Sequence, residues 1–298
     1  MKIIPLILAT ILALPAMAAE RVVLDALERK ASVPQTPVRV LTMSELDLDA
    51  LLALGIKPLG ATRGRGQQSM PRYLGKEAGA ITSVGNFASP VPDLAIALQP
   101  DLILAGGVPD PELLARLSKI APTVVTYRPG ENWQSALRRI GAVVGRSAQA
   151  ESVLAAYSQR VAKLSERLQK QQGASVSVVR WNPQGPAYML RDAFASLVLA
   201  DLKLRRPASQ QQSGAAHSPP LSMEALSLID ADWLFIGTLD GTADKALATA
   251  AASPAFSRLS AVKQGRMRAV DGSLWTGPGG PLAANALLDD IEKAMLAR

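Results

Sequence analysis

The sequence has no cysteine in its 298 residues and only one histidine, His217. Without thiols there is no disulfide and no thiolate metal centre, and a single imidazole cannot build a nitrogen-ligated one. Aromatic residues make up 4% of the chain, so each of them stands out. Catalytic signatures are missing too. No serine sits in a G-x-S-x-G turn, there is no phosphate loop, and no G-x-G-x-x-G opens a helix after a strand. The "GRG" around Arg65 is too short to count. Basic residues do not run together with interleaved aromatics, which argues against nucleic acid as a partner. An exported enzyme relying on His217 and a structural envelope protein remain as rivals to a binding role.

Long apolar runs are scarce as well. The one at the start, Ile3 to Leu14, follows Lys2 and precedes Ala16-Met17-Ala18. Residues 1–18 therefore read as a cleavable secretory signal peptide, too short to span a membrane. With no cysteine to take a lipid, the expected product is a free periplasmic protein that relies on its core.

What the chain does have is positive charge and regular alternation. Lys and Arg number 32 against 25 Asp and Glu, a net charge of +7, which favours an anionic partner. Apolar strands such as Val38–Thr42, "DLILAGG" and "TVVTY" alternate with short helices such as "SELDLDALLAL", capped by Ser44 and stopped by Gly55. That pattern is the one of parallel βα units. From Ala148 to Gln172 the pattern changes to one long helix without Pro or Gly, closed by Gly173. The reading is an α/β protein with an N-terminal lobe (19–147), a connecting long helix (148–172) and a C-terminal lobe (173–298).

Two stretches repeat across that helix. In "VPDLAIALQPDLILAG" and "LSMEALSLIDADWLFIG" an acid opens a short helix, and eight residues later an Asp opens an apolar strand that ends on Gly. Asp93 and Asp101 match Glu224 and Asp232, and Gly106 matches Gly237. Ligands of α/β lobes bind at the carboxyl ends of parallel strands, so facing lobes share a cleft there. Arg63 and Arg65 follow the second strand, and Phe87 and Tyr127 follow later ones. Arg180 and Trp181 end "SVSVVRW"; Tyr188, Arg191 and His217 come after, and Trp275 lies in "GSLWTGPGG". Guanidinium groups grip oxyanions bidentately and rings give stiff apolar contact. These residues predict a cleft for an organic anion with apolar parts, a chelated metal among the options. Asp93 and Glu224, exposed at matching places, predict paired docking points for basic residues of a partner.

The signal peptide, "VRVLTMSELDLDALLALGIKPLGAT", "SVGNFASPVPDLAIALQPDLILAGG", the long helix and "LSMEALSLIDADWLFIG" together resemble periplasmic substrate-binding proteins of ABC importers. The similar class has two Rossmann-like α/β lobes bridged by one long α-helix, with the ligand cleft between them, and carries ferric siderophores, haem and vitamin B12. The resemblance implies a ferric siderophore as ligand, with the iron inside it and no cofactor or metal held by the protein. It also implies an inner-membrane ABC permease with its ATPase as partner, and a monomer. Asp93 and Glu224 match the acids that meet permease arginines, although the first is usually Glu. Gly85 is followed by Asn86 and Phe87 rather than the Arg of hydroxamate binders, so the Arg-rich cleft points to a carboxylate-type or mixed siderophore. Haem is the alternative within the family, disfavoured by one His and few Tyr.

Overall fold

A computed structural model of the chain describes residues 19–108 and 110–296. The expected signal peptide, residues 1–18, lies outside them. A hairpin of β1 (Glu20–Leu24) and β2 (Lys30–Pro34) leads into a six-stranded sheet. Its members are β3 (Val40–Thr42), β4 (Gly60–Arg63), β5 (Thr82–Asn86), β6 (Ser89–Pro90), β7 (Leu102–Leu104) and β8 (Thr123–Val124), in the order β6-β5-β4-β3-β7-β8. All pairs are parallel except β5–β6. Strands β3 and β7 are buried along their whole length, as continuous apolar strands covered on both faces must be. Between the strands run α1 (Glu45–Ala53), α2 (Gly75–Gly79), α3 (Pro92–Ala97) and α4 (Pro111–Ser118), and α5 (Trp133–Val143) follows β8. The Ser44 hydroxyl accepts the Asp47 amide at 3.2 Å, as the sequence signal for α1 requires.

The long helix α6 spans Ser147–Arg167, and its last residues to Gln171 tighten into a 3₁₀ turn, so it is shorter than the 148–172 expected. Gly173, at φ 76°, turns the chain out. The second sheet is made of β9 (Val176–Asn182), β10 (Gly185–Tyr188), β11 (Trp233–Thr238) and β12 (Met267–Asp271), ordered β10-β9-β11-β12. Strands β9, β11 and β12 are parallel, and β10 folds back on β9 antiparallel. Helices α7 (Phe194–Asp201), α8 (Gly241–Ala251), α9 (Pro254–Ser257), α10 (Ser260–Lys263) and α11 (Gly272–Trp275) surround it. The helix expected at "SMEALSLI" is 3₁₀, Met223–Ile229.

The final helix, α12 (Pro281–Leu296), changes the picture of two bodies joined by a rod. It packs on α6, α7 and α11 and also on α1 and α5 of the first lobe. One apolar core runs through both lobes, from Leu46 and Trp133 to Phe235 and Leu287. Asp49 of α1 reinforces the junction, because its carboxylate accepts the Leu282 and Ala283 amides at 2.8 Å each. A helix of the second lobe is thus capped by an acid of the first. A Cβ on Gly280 would come within 2.6 Å of Asp49 Oδ1, so that position has no room for a side chain.

The repeated Asp residues do matching structural work. Asp101 accepts the amides of Val38 and Arg39 at 2.8 and 2.9 Å, and Asp232 accepts the Ser175 amide and hydroxyl at 2.8 Å each. Each one clamps the start of a neighbouring parallel strand, β3 in one lobe and β9 in the other.

Candidate functional site

A cavity of about 250 Å³ opens between the lobes. The first lobe lines it with Leu46 at the start of α1, Arg65, and the loop Tyr127–Glu131 after β8. The second lobe contributes Arg180 at the end of β9, Ala215–His217, and the loop Thr276–Gly279 after α11. These are mostly carboxyl ends of strands and the loops that leave them, which is where parallel α/β lobes form sites.

Arg180 and Trp181 part company here. Successive side chains on a strand point to opposite faces, so only one of two neighbours can face the cavity. Arg180 does, and donates from Nε to Thr276 Oγ1 at 3.0 Å and from Nη2 to the Thr276 carbonyl. Trp181 turns into the core of the second lobe, edge-on to Phe256 at 5.9 Å, which corrects its expected place in the cleft. Among the described residues, no carboxylate lies within 4.0 Å of the Arg180 guanidinium. Burial, and after it the charge of Arg65, push that guanidinium below the usual arginine range, and Glu45 pulls it back.

Arg65 stands on the loop after β4 with its guanidinium 3.8 Å from the centre of the Phe87 ring. Phe87 therefore supports a cavity residue and does not line the cavity. The Glu45 carboxylate anchors the loop through Oε1, which accepts the Arg65 amide at 2.7 Å, while Oε2 lies 3.7 Å from Arg65 Nε. Tyr127 lines the cavity beside it, and its buried hydroxyl has no hydrogen-bond partner among the described residues. Burial holds that phenol well above its ordinary range. A Cβ on Gly106 or Gly107 would strike the Tyr127 ring, so these glycines make room for it. Beneath, Asp47 accepts the Gly106 amide at 2.8 Å and the Thr126 hydroxyl, and burial raises its carboxyl to about 6.

His217 lines the opposite wall. Its Nδ1 is 2.8 Å from the Ser218 carbonyl, which can only accept, so the proton is assigned to Nδ1 and neutral His217 keeps Nε2 as an acceptor.

Besides Phe87 and Trp181, four more expected cleft residues sit elsewhere. Arg63 reaches Gln68 at 3.3 Å, outside the cavity lining. Tyr188 is in the core with Trp181. Arg191 is exposed and donates to Asp192 at 3.1 Å; Asp192, not Arg191, lines the cavity. Trp275 stacks on Phe235 at 4.4 Å and donates Nε1–H to Asp290 at 2.8 Å. Its Gly-rich loop lines the cavity, and the indole does not. Sequence reasoning missed Trp133, Met189 and Phe194, apolar liners with no pattern to mark them. Trp133 had one clue: it follows "RPGEN", the turn that leaves a strand end.

Asp93 and Glu224 are both exposed, each near the start of its short helix, and neither lines the cavity. Exposed apolar side chains flank them, Val91, Leu94 and Ile96 around the first and Leu228 near the second. The Ser222 hydroxyl holds the Glu224 carboxyl below its ordinary range. Among the described residues, no three His, Asp or Glu side chains gather to hold a metal ion, and no helix is long and apolar enough to cross a membrane.

Two α/β lobes with a basic cavity between their strand ends define a solute-binding protein. The chain belongs to the periplasmic binding protein family, which matches residues 40–274. It is 32% identical to a probable siderophore-binding lipoprotein of Bacillus subtilis, over 93% of this chain and 88% of that one. It is 25% identical to the Fe(3+) dicitrate-binding periplasmic protein of Escherichia coli, over 88% and 86% of the two chains. Staphylococcus aureus SirA, solved with staphyloferrin B, shares the fold with a TM-score of 0.81 at 23% identity, over 93% of this chain and 99% of that one. The family is one of substrate-binding proteins, not enzymes.

Proposed function

We propose that this protein captures an anionic ferric siderophore, of carboxylate or mixed type, in the cavity between its lobes and delivers it to an ABC importer. The observation that carries the reading is the pair Arg65 and Arg180. They come from different lobes, both face the cavity, and among the described residues neither has a carboxylate at hydrogen-bond distance from its guanidinium. A ligand that neutralises both also draws the lobes onto itself. The names of the relatives, a siderophore binder and a ferric dicitrate binder, support the same class. Iron stays wrapped in the ligand's own oxygens, so the protein need supply no cofactor or coordinating atom. Tyr127, Trp133 and Phe194 provide the apolar contact.

Delivery uses Asp93 and Glu224, one exposed acid on each lobe, which pair with basic residues of an inner-membrane permease. Their support is their matching position in the repeat and their exposure. The lack of a cysteine to carry a lipid supports an untethered protein of the periplasm.

Titration of the purified protein with a panel of ferric siderophores, ferric citrate included, tests the reading. Trp133 lines the cavity, so the cognate complex quenches indole fluorescence and raises the melting temperature. A panel that produces neither quenching nor a thermal shift refutes it.

A further inference from the structure

Five charged residues line the cavity: Arg65, Arg128, Arg180, Glu131 and Asp192. Three of them are already engaged. Glu131 is 2.7 Å from Arg139, Asp192 pairs with Arg191 and accepts Ser213 and the Gly214 amide, and Arg128 reaches the Ala26 carbonyl and lies 3.7 Å from Glu28. The other two, Arg65 and Arg180, are held differently: Arg180 donates to Thr276, which is uncharged, and the acid beside Arg65 is Glu45. Glu45 is 5% exposed. Its Oε1 is taken by the Arg65 amide, and its Oε2 is buried with no hydrogen-bond partner among the described residues, 3.7 Å from Arg65 Nε. Arg65 and Arg180 repel each other, and Glu45 is the acid whose charge acts on Arg180 against that repulsion. A buried carboxylate oxygen left without a donor is costly, and a loop anchor needs only one oxygen. The second is explained by charge.

We propose that Glu45 is a specificity-determining residue: its buried carboxylate is the counter-charge that holds Arg65 and Arg180 in one site and sets how much negative charge the bound ferric complex carries. This rests on the proposed function above. Arg65, Arg180 and Glu45 together present one net positive charge to the ligand. Without the acid they present two, and the site favours more anionic complexes than it does now.

Glu45→Gln keeps an acceptor for the Arg65 amide and removes the charge, whereas Glu45→Asp keeps the charge and shortens the reach. The measurement is the ratio of affinities for ferric citrate, an anion, and ferrichrome, a neutral ferric trihydroxamate, by fluorescence titration at fixed ionic strength. One unit charge about 8 Å away, at an effective dielectric near 20, corresponds to a change of tenfold or more. E45Q therefore shifts the ratio toward ferric citrate by about tenfold or more, and E45D leaves it within about twofold of wild type. A purely structural role for Glu45 weakens both complexes alike in both variants and leaves the ratio alone; that result overturns the proposal. If E45Q does not fold, the comparison moves to Arg65→Gln and the double variant R65Q/E45Q, which removes the pair together. R65Q shifts the ratio toward the neutral complex, and the double variant returns it to near the wild-type value. Equal ratios in those two variants overturn the proposal just as firmly. A wild type that binds neither these two complexes nor any other ferric siderophore overturns the proposed function, and this inference with it. Wild-type binding with an unmoved E45Q ratio overturns this inference alone.

Discussion

Replacing Arg180 with methionine isolates what its charge does. Methionine keeps most of the apolar stem, so the end of β9 and the packing on Thr276 change little, while the charge and two hydrogen bonds to Thr276 are lost. A guanidinium about 6 Å from an anionic centre, at an effective dielectric near 20, contributes about 3 kcal/mol. The loss in affinity is then about two orders of magnitude at physiological salt. Stability moves the other way or hardly at all. Arg180 is part-buried with no carboxylate beside it among the described residues, so R180M removes a desolvation cost that offsets the lost hydrogen bonds. Calorimetric titration with the cognate complex measures the first quantity and thermal denaturation of the empty protein the second. An affinity within twofold of wild type, in a protein with an unchanged melt, removes Arg180 from the site and with it the electrostatic account of binding. A raised salt dependence of the wild-type affinity relative to R180M provides a second check, because the lost term is the screened one.

Trp181→Phe behaves oppositely. The indole packs against Phe256 in the second-lobe core and does not line the cavity, so stability falls by about 1–2 kcal/mol in a denaturant melt and ligand affinity stays the same. Asp49→Asn exposes a pH linkage. Burial raises the Asp49 carboxyl to about 6, above its unfolded value. The stability it contributes is full below the unfolded value and lost as pH rises through about 6. The stability of D49N relative to wild type therefore improves by about 3 kcal/mol between pH 3.5 and 7.5, read from urea melts, and a trend of opposite sign refutes the assignment. Glu224→Lys reverses an exposed charge outside the cavity, so siderophore uptake by cells stops while affinity in solution stays within twofold of wild type; lost affinity would place Glu224 at the ligand instead.

Much of the fold was legible because its signals are local. Continuous apolar runs such as Leu102–Leu104 announce parallel strands, Ser44 announces the start of α1, and Gly173 its positive-φ exit from the long helix. The repeat was legible as well, and the structure gives its two Asp residues the same job at two strand starts. The site was legible only in part. Arg65, Tyr127, Arg180 and His217 line the cavity, whereas Trp181, Tyr188 and Trp275 are core residues. A strand-end position says that a residue is near the cleft; the pleat then decides which neighbour enters it. Reading aromatics as ligand contacts fails for Trp181, Tyr188 and Trp275, which pack into the cores, while Tyr127 lines the cavity.

The sequence on its own determined the βα alternation, the twofold layout and the positive charge, since each depends on residue type and spacing within a few turns of chain. Tertiary structure decided the rest. Three acids on one short helix, Glu45, Asp47 and Asp49, are of a type usually left in water, yet all are buried, and each is held by groups far away in sequence: Arg65, Gly106 and Thr126, and the start of α12. Whether a charge is a solvated ornament or part of a site depends on what packs over it, and that is fixed only when distant segments meet.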